Sequence, residues 1–173
     1  MELVKKIGNR IYLRPLVIDD ASQKYCDWLN DPEVNIYLET RKSTVEDLKS
    51  YIKQKLNDTN SCLLGIFDKA NDKHIGNVKL EIINQIKKRA DFGIILGDKS
   101  YWGQGIGTEA TKLAVDYAFN ELSLDEVELG VLDQNKRGQK AFAKAGFKIT
   151  EVKKNFTNHD GTIYDAVMME IKK

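Results

Sequence analysis

The chain has 173 residues, 42% of them hydrophobic and 31% charged, and 27 lysine and arginine residues against 26 acidic ones give a net charge of +1. This composition excludes a disordered or collagen-like chain and suits one hydrophobic core. The small net charge provides no field that would attract nucleic acid or an anionic membrane. We therefore expect one domain over residues 1–173 that binds neither.

The cysteines and the N-terminal segment bear on metals and compartment. Cys26 and Cys62 lie among apolar residues without a CxxC or Cys/His spacing, so we predict reduced packing residues and no metal site. Residues 1–9 lack the apolar segment of a secretory signal, and no apolar run has the length of a membrane span. A cytoplasmic protein is the expectation.

The first third of the chain predicts one strand and two helices. Apolar alternation over residues 11–16 is typical of a strand that ends near Pro15. A helix capped by Asp19 or Asp20 should follow and stop at residues 30–32, since the last of these is a proline. Residues 43 and 44, Ser and Thr, are then expected to start a second helix.

The rest of the chain predicts strands with two further helices. Residues 62–67, 74–83 and 90–96 resemble three antiparallel strands joined by polar turns, and Gly146 is placed to end a short helix. The order predicts a mixed α/β (α+β) domain, mainly antiparallel, of about seven strands and four helices. The remaining predicted elements are a helix over 107–122, a strand over 126–132, a helix over 136–145 and strands over 148–156 and 163–171.

A glycine-rich loop precedes the long predicted helix. Gly103, Gly105 and Gly107 alternate there, so the backbone can approach a ligand closely and the first amides of the helix are available to an anion. No lysine follows the last glycine, which disfavours a P-loop, and the glycine spacing with three preceding hairpin strands disfavours a dinucleotide fold. The pyrophosphate of coenzyme A remains, and a ligand-free surface loop is the alternative.

Several segments together resemble a known family. Residues 101–110 read YWGQGIGTEA, followed by Asn135 and by KAGF at residues 144–147. This combination resembles the GNAT acetyltransferases, within them the branch of ribosomal-protein N-terminal acetyltransferases and spermidine acetyltransferases. RIYLRPL at residues 10–16 and WLNDPEV at residues 28–34 are similar to the same branch, so the resemblance runs from about residue 10 to residue 171.

The resemblance implies acetyl-CoA as co-substrate, bound where the fourth and fifth predicted strands part. The pantetheine arm would add to the edge of the fourth strand, the loop amides would hold the pyrophosphate, and the Leu96 amide would donate to the oxyanion. Lys136, Arg137 and Lys140 are either further phosphate contacts or a solvated helix face. The implied coenzyme residues are Ile94, Ile95, Leu96, Trp102, Gly103, Gln104, Gly105, Ile106, Gly107, Thr108 and Asn135.

The catalytic groups are less clearly marked. Many relatives carry a tyrosine general acid where this chain has Phe142, so water or a hydroxyl such as that of Tyr164 would protonate the leaving thiolate. Asp91 is the candidate base, with a charge paired to Lys88 or Arg89 as its alternative role, and Glu81 is the second candidate. Trp28, Tyr37 and Glu39 are candidates for the acceptor cleft, although such aromatic residues usually pack the core. The turn residues His74 and His159 are expected at the surface.

The predicted reaction is direct attack of a neutral primary amine on the thioester in a ternary complex. Because a strongly basic amine is costly to deprotonate, an acceptor of low pKa, such as an amino sugar or a protein N-terminus, is favoured over a polyamine. An acidic pocket formed by Glu33, Glu39 and Glu81 would reverse this preference. A non-catalytic acyl-CoA sensor and a plain interaction domain are the alternatives of another class. An exposed final strand would allow pairing with a second copy of the chain.

Overall fold

A computed structural model describes residues 4–38, 42–157 and 161–173. Within these residues the chain forms one eight-stranded sheet and five α-helices, with 3₁₀ turns at Ile18–Asp20 and Lys99–Tyr101. The strands are β1 Lys6–Ile7, β2 Ile11–Pro15, β3 Ser61–Asp68, β4 His74–Asn84, β5 Arg89–Leu96, β6 Glu126–Leu132, β7 Lys148–Thr157 and β8 Ile163–Lys172. The helices are α1 Gln23–Asn30, α2 Pro32–Asn35, α3 Val45–Asn57, α4 Ile106–Asn120 and α5 Lys136–Lys144.

The predicted class of mixed, mainly antiparallel sheet is confirmed, with one more strand and one more helix than expected. The extra strand β1 has only two residues and is held by contacts from far along the chain, because Lys6 pairs with Asp116 at 2.6 Å and Glu121 at 2.8 Å. The extra helix α2 begins where the sequence predicted only an end: Pro32 stands at its first position, and Asp31 accepts a hydrogen bond from the Glu33 amide.

The helix caps explain where the other helices begin and end. The predicted cap at Asp19 or Asp20 is wrong, because these residues form a 3₁₀ turn and Ser22 caps α1 by accepting from the Tyr25 amide. Thr44 starts α3 in a capping box, as predicted. Gly146, with φ of 106°, follows α5 in the left-handed conformation that its residue type permits.

The sheet has the strand order β1-β2-β3-β4-β5-β6-β8-β7 and is antiparallel except between β5 and β6. These two strands pair over three residues only, and their last pair is Asp91 with Glu128. Beyond this pair β5 continues to Leu96 and β6 to Leu132 without pairing to each other, so the predicted split is confirmed. The final strand β8 lies between β6 and β7, so the exposed edge belongs to β7 and the expectation of an exposed final strand is wrong.

Two hydrophobic clusters pack on the two faces of this sheet. The larger one joins α4 and α5 to side chains such as Leu80, Phe92 and Leu129, and we call this side the α4 face. The smaller one joins α1 and α3 to Leu63 and Phe67, and we call this side the α3 face. None of the helices in the described ranges is long and apolar enough to cross a lipid bilayer.

Candidate active site

A cleft of about 350 Å³ lies in the split of the sheet. Its walls come from four places that are distant in sequence: the corner after α2, the end of β5, the glycine loop and the exposed side of α5. Because these walls belong to both faces, the cleft connects the α3 face with the α4 face through the gap between the strands. A ligand can therefore meet a second molecule inside the sheet.

The edge of β5 presents backbone groups to this gap. The Gly97 amide donates to the Ile75 carbonyl, and the register pairs Gly76 with Leu96 and Val78 with Ile94. Because hydrogen-bonded and non-hydrogen-bonded pairs alternate along an antiparallel ladder, the amide and carbonyl groups of Leu96 and Ile94 point away from β4, toward the gap. Those of Ile95 point toward β4 instead. Ile95 reaches the cleft by its side chain alone.

The glycine loop exposes amides at the start of α4. Gly103 and Gly105 have φ of 72° and 78°, a conformation that costs other residues energy, and Gly105 precedes the helix without a side-chain cap. In the described part of the chain, none of the loop and cap hydrogen bonds is donated by an amide of residues 103–108. These amides, with the positive end of the helix dipole, form a surface for a phosphate group.

Trp102 connects the loop to the strand edge. Its indole Nε1–H donates to the Leu96 carbonyl at 2.7 Å, so that carbonyl is occupied while the Leu96 amide still faces the gap. The Arg137 guanidinium lies 4.1 Å from the centre of the Trp102 ring. The sequence indicated neither contact, because the first depends on how the chain folds back after β5 and the second on the packing of α5 against the loop.

An ion-pair network fixes the entry to the loop. Asp98 accepts from the Ser100 amide and pairs with Lys73 at 2.8 Å. Burial opposes its charge, but the hydrogen bonds from Lys73 and Ser100 prevail and lower its pKa to about 2. Lys99, next along the chain, pairs with Asp31 and Glu33 of the α2 corner at 2.8 and 2.9 Å. The wall formed by α2 and the glycine loop are thereby held together.

The wall formed by α5 is basic. Arg137, Lys140 and Lys144 line the cleft, which gives weight to the phosphate-contact alternative for the first two. Asn135 also lines it, but its Oδ1 caps α5 by accepting from the Gly138 amide at 2.9 Å. Its NH₂ group is therefore the part that can donate to a ligand.

Phe142 lies in the cleft, at the position where the family resemblance implies a tyrosine in many relatives. Its ring packs edge-on against Phe92, with ring centres 5.9 Å apart, and contacts Phe147 at 6.2 Å. The position thus faces the ligand site, but this chain places no hydroxyl there. Tyr164 lies on β8 opposite Phe156 and is not among the described residues that line the cleft.

The two candidate bases lie on the α3 face at the closed end of the split. Asp91 stands in one cross-strand row between Glu81 of β4 and Glu128 of β6. The ammonium groups of Lys79 and Lys55 bond to Glu81, at 3.0 and 3.2 Å, and lower its pKa, which weakens it as a base. Burial disfavours the charge of Lys79, but Glu81 and the further attraction of Asp91 raise its pKa.

The other predicted acceptor residues are distributed unequally. Tyr37 lines the cleft and is 40% exposed. Trp28 is buried, and a Cβ on Gly97 would stand 2.0 Å from its ring, so it packs the sheet instead of lining the cleft. Glu39 and His159 lie outside the described residues.

The expectation of a surface His74 is wrong. Its ring lies among the rings of Tyr25, Trp28 and Phe67, and its Nε2 donates to Oδ1 of Asn77 at 2.8 Å. Burial lowers its pKa, so the neutral ring is favoured. The turn residues 71–73 next to it gave the misleading signal.

The cysteines offer no nucleophile. Cys26 is buried and its thiol donates to the Ser43 carbonyl at 2.7 Å. Burial raises the pKa of Cys62 to about 11, which keeps it protonated and unreactive. The described residues contain no cluster of three or more metal-ligating side chains. What the cleft provides is main-chain donors and cations, while Asp91 stands outside its lining, at the last paired position of β5 and β6.

Comparisons with known proteins agree with this architecture. A family model described as "Acetyltransferase (GNAT) domain" matches residues 10–148. The chain is 34% identical over 153 residues to the "Probable N-acetyltransferase YjcK" of Bacillus subtilis, over 81% of each chain. It is 39% identical over 74 residues to the spermidine N(1)-acetyltransferase of Escherichia coli, over 43% of this chain and 39% of the relative.

The solved structures show the same fold. The spermidine N-acetyltransferase of Vibrio cholerae, in complex with CoA and spermine, has a TM-score of 0.86 at 23% identity and covers 95% of this chain and 96% of its own. A GNAT-family acetyltransferase of Bacillus anthracis has a TM-score of 0.85 at 15% identity, with 98% of each chain covered.

The fold and the cleft are those of an acyltransferase. The chain belongs to the GNAT acetyltransferase family and is an N-acetyltransferase, a member of a family that uses acetyl-CoA.

Proposed function

We propose that this enzyme transfers the acetyl group of acetyl-CoA to a primary amine by direct attack in a ternary complex. The observation that carries the proposal is the split between β5 and β6, which places the free amides of the glycine loop on one side of the sheet and an open route from the α3 face on the other. The two substrates meet in this gap from opposite faces.

The coenzyme is held mainly by backbone groups. The amides of residues 103–108 bind the pyrophosphate, and Arg137 and Lys140 add positive charge along its path. The pantetheine arm extends β5 by pairing with Ile94. A thioester lying beside Leu96 would have its oxygen next to the Leu96 amide, a donor directed into a gap from which water is displaced.

Proton transfer is shared between the protein and water. Asp91 removes the amine proton, directly or through one water molecule, because it stands at the last paired position of β5, where the two strands begin to part. The thiolate leaves without a tyrosine acid. A thiol of pKa ~8.5 that leaves as thiolate at pH 7 costs about 2 kcal/mol relative to leaving protonated. This cost slows the reaction but does not prevent it.

The charges on the α3 face favour an acceptor of low pKa over a polyamine. Glu81 pairs with lysines, Glu126 and Glu128 pair with Arg89, and Glu170 pairs with Lys172 at 3.3 Å. Cations therefore pair with four of the carboxylates on this face, which weakens its attraction for a polycation. An amine of pKa ~8 is already about one-tenth neutral at pH 7, whereas one near 10.4 costs about 4.6 kcal/mol to deprotonate. An amino sugar or a protein N-terminus therefore suits the site best.

The test is thiol release from acetyl-CoA with a panel of amino sugars, peptides and polyamines, together with calorimetry of acetyl-CoA binding. We expect binding, and turnover that is highest with the amines of low pKa. Asp91→Asn should lower kcat by at least roughly 100-fold at unchanged acetyl-CoA affinity, the lower bound expected for removing a general base. If acetyl-CoA binds but no amine causes thiol release above background, the protein would be an acyl-CoA sensor. If acetyl-CoA does not bind, the proposal is refuted.

A further inference from the structure

Gly93 occupies the centre of β5 without a structural reason to be glycine. Its φ is not in the left-handed region, and a Cβ built on it would meet no atom within 4 Å. Glycine in the middle of a strand weakens the strand, and it commonly marks a place where a ligand approaches the backbone. Steric crowding explains Gly65, Gly76 and Gly97, because a Cβ there would stand 2.5, 2.3 and 2.0 Å from neighbouring atoms.

A second glycine stands at the matching position across the split. The last β5–β6 pair joins Asp91 with Glu128, and Gly93 and Gly130 each follow it by two residues. Because side chains alternate along a strand, both glycines lie on the α3 face, directly above the two carboxylates. A Cβ on Gly130 would meet only the flexible end of Met168, at 3.3 Å. Neither of the two diverging strands therefore carries a side chain on the α3 face at the level where the sheet opens.

The space above Gly93 and Gly130 is continuous with the residues that line the cleft. Ile94 and Ile95, which follow Gly93 along β5, both line it, and the next α3-face position after Gly93 is that of Ile95. Lys79 lies beside Gly93 on β4, and its ammonium is turned to Glu81. Gly93 and Gly130 do not line the cleft themselves, but an acceptor that enters from the α3 face at this level would pass between them before its nitrogen reaches the thioester.

We propose that Gly93 and Gly130 form the acceptor passage and select amines whose nitrogen is carried on a branched carbon, such as a ring carbon of an amino sugar or the α-carbon of a protein N-terminus. This inference rests on the function proposed above. The reacting nitrogen must come within about 3.5 Å of the carbonyl carbon, so the carbon that bears it lies at the level of the two strands. Its two substituents need the space that side chains at these positions would fill.

An unbranched CH₂–NH₂ group does not need that space. Adding a methyl group at either glycine should therefore hinder branched amines and spare unbranched ones. The contact of one methyl or methylene group changes discrimination by roughly 10-fold to 200-fold. Matched acceptors exist: an alanyl and a glycyl peptide of the same sequence differ by one methyl group beside amines of similar pKa, and 2-amino-1-propanol and ethanolamine are a second such pair.

The experiment measures kcat/KM for both pairs in the wild type and in Gly93→Ala, Gly93→Val and Gly130→Ala. We expect the branched-to-unbranched ratio to fall roughly 10-fold with each alanine and further with valine. The acetyl-CoA affinity should stay within about twofold of the wild type, and the melting temperature should be unchanged or higher, because a strand gains from losing a glycine. Lys153→Val puts a β-branched residue on exposed β7 as a control and should leave the ratio unchanged.

The outcomes separate this inference from the proposed function. If the wild type acetylates these amines and the glycine variants keep its ratio, or if it prefers the unbranched member of each pair, the passage is refuted while the transferase proposal stands. If no amine causes thiol release, the proposed function fails and the passage fails with it.

Discussion

At the scale of single residues, Phe142 offers a gain-of-function test. Its ring faces the cleft and packs on Phe92 and Phe147, so Phe142→Tyr would add a hydroxyl toward the ligand while keeping both contacts. We expect kcat to rise roughly threefold to tenfold, below the ~30-fold ceiling that 2 kcal/mol sets. The measurement is the pH profile of kcat, which should gain a descending limb from the new acid at high pH.

Phe142→Met controls for changes in packing, since it is apolar and carries no hydroxyl. A tyrosine variant with the kcat and pH profile of the wild type would show that departure of the thiolate is not the step that limits this enzyme.

At the scale of elements, two glycine substitutions in the glycine loop and the first turn of α4 distinguish an effect on backbone conformation from an effect on coenzyme binding. Gly105 has φ of 78° and Gly107 lies within α4, and a Cβ on Gly107 would meet no atom within 4 Å. Gly105→Ala should cost about 1–2 kcal/mol of unfolding free energy, the penalty for a left-handed residue. Gly107→Ala should leave stability unchanged or raise it by up to about 1 kcal/mol.

Both loop variants should nevertheless bind acetyl-CoA at least roughly 10-fold more weakly, since a methyl group at residue 105 or 107 would keep the diphosphate away from the loop amides. Urea denaturation and calorimetry measure the two quantities. Wild-type affinity in Gly107→Ala would place the diphosphate elsewhere.

At the scale of the whole molecule, His74 makes stability depend on pH. Its ring is buried among aromatic rings, and burial lowers its pKa below the ordinary value of 6.5. Below pH 6.5 the unfolded chain binds a proton that the folded chain refuses, so stability falls as the pH drops from 7.5 to 5.5. The slope contributed by this residue cannot exceed about 1.4 kcal/mol per pH unit.

Urea denaturation at several pH values measures this dependence. His74→Gln keeps a donor for Asn77 and should flatten the curve between pH 5.5 and 7.5. Equal curves for the wild type and His74→Gln would contradict the assignment.

Signals that act over a few residues were readable in the sequence. Thr44 with Asp47, Gly146 after α5 and the alternating glycines of the loop each specify local backbone geometry, and they led to the correct fold class and to the prediction of a ligand loop. Short elements were missed, because β1 depends on Lys6 reaching Asp116 and α2 on a proline that both ends one helix and starts the next. The buried position of His74 was missed because the rings that surround it belong to residues distant in sequence.

The sequence by itself determined the fold family, and it predicted the coenzyme loop and the absence of a tyrosine acid at Phe142, since each is written in residues that are close together or match a known pattern. Only the tertiary structure decided which β5 amides face the gap, that Trp102 bonds to Leu96 and contacts Arg137, and that Gly93 and Gly130 both follow the last β5–β6 pair by two residues. These facts depend on the register between strands and on helix packing. Register is set by the sum of many contacts across the sheet, and no short segment of sequence contains it.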